Sequence, residues 1–110
     1  MTKKTAVEAG SGNVFADIGL PRSEDRLAKA ELAMRIAEIV RARRLTQTRA
    51  ANLLRIDQPK ISRLLRGQLS GFSAEKLMQF LNLLGRDIDI VLKRRARSRR
   101  HGRLRVLVMT

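Results

Sequence analysis

The sequence predicts a mainly α bundle ending in a short β segment, and three observations point to it. Between Ser23 and Gly85, apolar residues recur at helical spacing in separate stretches bounded by capping residues, cations and glycines. Aromatic residues are only 3% of the chain, with no Trp or Tyr, so a core must be built from Leu, Ile, Val, Ala and Met. That composition suits small packed helices better than a sandwich or barrel. Beyond Gly85 the pattern changes to an alternation of polar and apolar residues, as in a strand.

With 110 residues, 44% of them apolar, the chain has room for one compact domain with a real core. Residues 1–13 are small and polar, end in Gly10-Ser11-Gly12-Asn13, and read as a flexible segment. Val14 to Leu20 is too short and Gly-broken for a long helix, so Phe15, Ile18 and Leu20 are expected to form an arm docked on the core.

After Pro21, Ser23 caps a helix with Glu24 and Asp25 in its first turn, where carboxylates suit the helix dipole. Leu32, Ile36, Ile39 and Val40 share its inner face, with Leu27, Ala33 and Ala37 beside them and Glu31 and Glu38 outward. Arg43-Arg44 closes it. Thr46 caps a short helix carrying Ala50, Ala51, Leu53 and Leu54, and Arg55-Ile56-Asp57 breaks it. Gln58 to Arg66 forms the next helix, stopped by Gly67. Pro59 is tolerated there because the first turn does not use its missing N–H. Ser73-Ala74-Glu75 opens a last helix through Leu77, Phe80, Leu81 and Leu84, with Gly85 as its stop.

Residues 86–110 are then a β segment with a basic arm. Asp87 to Lys93 and Leu104 to Val108 alternate as strands do, around an arginine-rich run. The two strands would pair as a hairpin or each pair with a second subunit. Asp87 and Asp89 fall on one side of the first strand, as charges that keep an edge soluble do.

Lys and Arg number 24 against 10 Asp and Glu, a formal net charge of +14. This exceeds what solubility needs and points to a polyanionic partner, nucleic acid foremost. With no cysteine and a single histidine, His101, the chain has no disulfide and no ordinary zinc site. No nucleophile–base pair, metal cluster or phosphate-cradling glycine loop suggests an enzyme, and no cofactor is expected. Lys3 and Lys4 are not followed by an apolar run, so neither a signal peptide nor a membrane span is expected, and the location read from the sequence is cytoplasmic.

The stretch Gln47 to Gly67 has the features of a helix-turn-helix. Two short helices crossing steeply need a small residue at their contact, and Ala51 supplies it. Ile56 plugs the turn, and Ile61, Leu64 and Leu65 bury one stripe of the second helix. Gln58, Lys60, Ser62 and Arg63 are left facing outward, residue types that hydrogen-bond base edges and phosphates.

From Leu45 to Gly67, through Leu-Thr-Gln, Gln-Pro-Lys-Ile-Ser-Arg-Leu and the closing Arg-Gly, the chain resembles the helix-turn-helix of the Cro/C1 (Xre) family of repressors. A wider likeness from Asn13 to Lys93 resembles a subgroup that includes HigA-like antitoxins. The resemblance implies a lambda-repressor-like domain over residues 14–85, with its motif at 47–67. It implies Gln58 and Arg63 as base readers, with Gln47 contacting phosphate and orienting Gln58, and Lys60, Ser62 and Arg44 on phosphate oxygens. It departs at Arg55, where the family usually has Gly.

The function so implied is a repressor acting as a homodimer on a palindromic DNA operator, and in the antitoxin subgroup an autoregulating antitoxin that also binds a RelE/HigB-type toxin. The arginine-rich tail stays open between a phosphate-binding arm, a solvated arm and a toxin contact. The competing reading is non-specific binding of RNA or nucleoid DNA through that tail.

Overall fold

A computed structural model describes residues 22–109, with side chains from Glu24 onward. The expected flexible segment 1–13 and the arm at 14–20 lie outside the described residues, and Ser23, expected to cap the first helix, lies within it, since that helix begins at Arg22. Four helices follow in order: α1 (Arg22–Ala42), α2 (Gln47–Leu54), α3 (Gln58–Leu65) and α4 (Ala74–Leu83).

Hydroxyl and carboxylate caps start the last three. The side chains of Thr46, Asp57 and Ser73 accept from the backbone N–H groups of Arg49, Lys60 and Lys76, satisfying donors the helix itself leaves unpaired. Asp57, read from sequence only as part of a break, thus also starts α3.

All four helices end in the same way. A residue in the left-handed region follows each, and the next N–H reaches five residues back: Leu45 to Val40, Ile56 to Ala51, Gln68 to Arg63 and Arg86 to Leu81. Gly67 and Gly85 fill that position after α3 and α4, at φ 79° and 89°. After α1 and α2 it is Arg44 at φ 55° and Arg55 at φ 63°. The glycine the family favours at Arg55 therefore corresponds to a real left-handed conformation.

The core lies where α4 packs along α1, with α3 packed against α2 and α1. Ile36, Leu54, Ile61, Leu64, Leu77, Phe80 and Leu84 are its fully buried side chains, and Ala50 and Ala51 are buried on α2. The expected stripes of α1, α3 and α4 point inward except for Leu27, which is 67% exposed. Leu27 and Ile36 are nine positions apart, about two and a half turns, so they face opposite ways. Glu31 and Glu38 lie outward and bracket Arg35 in ion pairs of 3.3 and 3.1 Å.

The C-terminal β segment does not form. Among the described residues there is no strand, and residues 86–109 have no ladder of backbone hydrogen bonds. The alternation survives as packing only in part: Ile88, Leu104 and Val106 are half-buried while Asp87, Asp89, Arg105 and Leu107 are exposed, but Ile90, Leu92 and Val108, which share the apolar side of the pattern, are exposed as well. Glu24 Oε1 accepts from Leu104 N at 3.1 Å and ties this segment to the start of α1. The sequence pattern specified one inward face, but a strand also needs a neighbour to pair with. Neither half of the segment provides one for the other.

Candidate nucleic-acid interface

Two short helices carry the site. Asp57 anchors the start of α3, and Ile61 and Leu64 bury its inner stripe, which turns Gln58, Pro59, Lys60 and Arg66 outward. Ser62 and Arg63 are half-buried at its flank. Gln47 and Thr48 form the exposed first turn of α2, and Arg44 is exposed at the bend before it. The expected residues Gln47, Gln58, Lys60, Ser62, Arg63 and Arg44 thus lie on these two helices and the bend between α1 and α2. Gln58, Lys60 and Arg63 are concentrated on α3.

Two of them are held in place. The Gln58 side-chain Nε2 donates to Thr48 Oγ1, bridging α3 to α2. The partner is thus Thr48, one position beyond the Gln47 that the family resemblance singles out, and Gln47 remains exposed at the end of the helix. Arg63 donates to the Ser70 carbonyl at 3.4 Å, and its guanidinium carbon sits 5.7 Å from the centre of the Phe72 ring.

Beside Arg63 is a shallow cleft of about 80 Å³ lined by Ile56, Lys60, Arg63, Gly71, Phe72, Lys76 and Phe80. Three cations therefore border one apolar-floored hollow between α3 and α4. Lys76 lies 5.8 Å from the centre of the Phe80 ring. Sequence reasoning missed Lys76 and Thr48. Lys76 lies outside the motif, and only the packing of α4 brings it beside Lys60. For Thr48 the only signal was a polar side chain in the turn that also carries Gln47.

Such a face can grip phosphate oxygens with cations and present an amide and a guanidinium to base edges. Among the described residues no group of His, Asp or Glu is placed to hold a metal ion. No described helix is long and apolar enough to cross a membrane.

A family described as helix-turn-helix domain matches residues 14–93. The chain belongs to this family. A solved structure carrying the description XRE family transcriptional regulator is 40% identical, with a TM-score of 0.77 over 81% of this chain and 100% of that one. The domain is therefore a helix-turn-helix of the Xre type, and binding DNA goes with that family. No curated protein matches the chain.

Proposed function

We propose that this chain is a sequence-specific DNA-binding regulator of transcription, a repressor that places α3 in the major groove of duplex DNA. The observation that carries the reading is the exposed edge of α3, where Gln58 and Arg63 are both pre-positioned by partners outside their own helix. Gln58 and Arg63 read bases, while Lys60, Ser62, Arg44 and Gln47 hold phosphates. The Xre-type neighbour and the net charge of +14 support the same assignment.

The regulator acts as a homodimer on a palindromic operator, with its recognition helices about one DNA turn apart. Ile90, Val91 and Leu92, at 73, 74 and 92% exposure, are the apolar surface a second copy would cover. The HigA-like likeness over Asn13 to Lys93 adds a second task, autoregulation as the antitoxin of a RelE/HigB-type toxin in the cytoplasm.

Selection of duplexes from a random pool at physiological salt tests this reading. An enriched palindrome supports it, and a pool without any enriched sequence overturns it. A second reading, non-specific binding of RNA or nucleoid DNA, draws on the exposed Arg94, Arg95, Arg97, Arg100, Arg103 and Arg105. It predicts tight binding to any polyanion.

A further inference from the structure

We propose that Thr48 is a positioning residue that fixes which edge Gln58 presents to DNA, so that Gln58 selects adenine over guanine. The inference rests on the α3 reading given above and adds a residue that the family resemblance does not single out.

A glutamine amide has one carbonyl acceptor and two N–H donors, and rotation about its last bond exchanges them. Gln58 Nε2 donates to Thr48 Oγ1. This leaves one N–H and the whole of Oε1 free, side by side. That pair matches adenine, whose N6 amino group donates and whose N7 accepts. Guanine shows only acceptors, O6 and N7, on the same edge, and O6 would face Oε1 with no hydrogen between them.

A hydroxyl also donates, and a Thr48 that donated to Oε1 would let the amide turn over. Its place removes that choice. Thr48 lies in the exposed first turn of α2, and helix amino ends are where a DNA phosphate binds. Phosphate oxygens only accept, so the phosphate takes the hydroxyl hydrogen and Oγ1 can then only accept from Gln58. Thr48 thus couples contact with the backbone to the reading of a base. An exposed Gln58 without this partner would sample both amide orientations and discriminate less.

The test is parallel selection from a random duplex pool by the full-length wild type, Thr48→Val, Thr48→Ser and Gln58→Ala, with thermal melting of each. Gln58→Ala marks the base pair that Gln58 reads. There Thr48→Val, which keeps the shape without the hydroxyl, should lower the preference for adenine over guanine about tenfold, roughly one good bidentate contact. Thr48→Ser should retain it, while melting stays unchanged in both; affinity for random DNA should fall in Thr48→Val, which gives up the phosphate contact, and hold in Thr48→Ser. Thr48→Ala repeats the comparison if valine shifts the melting curve.

Full adenine preference in the hydroxyl-free variants, with Gln58→Ala losing it, overturns the inference and leaves the regulator reading intact. A silent Gln58→Ala overturns the inference as well. A wild-type pool without any enriched sequence overturns the regulator reading itself.

Discussion

Arg63 rests on Phe72: its guanidinium carbon is 5.7 Å from the ring centre and its Nη1 donates to the Ser70 carbonyl at 3.4 Å. Phe72 is in turn only 5% exposed and meets Phe80 edge-on, with centroids 6.2 Å apart. The seat of Arg63 is therefore continuous with the core. An arginine already held by a ring and a carbonyl loses less side-chain freedom when its remaining N–H groups meet DNA.

Removing that side chain should affect choice as well as strength. Arg63→Ala is expected to weaken binding to the selected operator by about 1–3 kcal/mol and to relax preference at one base pair. Arg63→Lys should not restore it, because lysine lacks both the planar face and the fork of donors. Titration of labelled duplexes differing at that base pair measures both effects. Full recovery with lysine would show that Arg63 acts only as a charge.

Lys60 and Lys76 should behave differently. They border the cleft between α3 and α4 with Arg63, and a cation that meets phosphate releases counterions whatever the sequence. Alanine at either position is expected to weaken operator and random duplex alike and to reduce the slope of log affinity against log salt by about 1. Affinities measured across a salt series give the slope. An unchanged slope for Lys76→Ala would remove that residue from the interface.

The four helices were legible because each carries its own local code. Ile36 and Leu77 lie on regular apolar stripes, Thr46 and Ser73 are side chains that cap, and Gly67 and Gly85 adopt conformations glycine favours. The final β segment was misread because alternation fixes an inward face but supplies no partner strand. In the site, Gln58, Lys60 and Arg63 could be read from the outward face of a single helix. Thr48 and Lys76 could not, since each reaches α3 from another helix and only the packed arrangement brings them together.

Arg55 marks a local conflict between sequence and conformation. It is left-handed, at φ 63°, and exposed at the end of α2. A residue with a Cβ there costs about 1 kcal/mol or slightly more. Arg55→Gly should thus raise unfolding free energy by up to about 1 kcal/mol, and Arg55→Val should lower it, because β-branching makes this conformation worse. Urea denaturation of the three proteins would show the order. A glycine variant less stable than wild type would mean that the arginine side chain compensates for its own strain.

Leu77 is wholly buried in the core, on the helix that packs along α1. Leu77→Ala should cost about 2–5 kcal/mol, a large share of the stability of a small domain. Binding should fall in step with the folded fraction, and base preference among the molecules that remain folded should not change. A changed preference at full folding would mean that Leu77 also sets the pose of α3.

The central claim is that α3, not the arginine-rich tail, chooses the sequence. The most direct measurement is the ratio of affinity for the selected operator to affinity for random duplex, at physiological salt, in the wild type, in Arg63→Ala and in a deletion of residues 94–105. Arg63→Ala should lose about 5- to 150-fold of that ratio, the equivalent of 1–3 kcal/mol. The deletion should weaken both affinities and keep the ratio. A ratio that survives Arg63→Ala and collapses in the deletion would contradict the account.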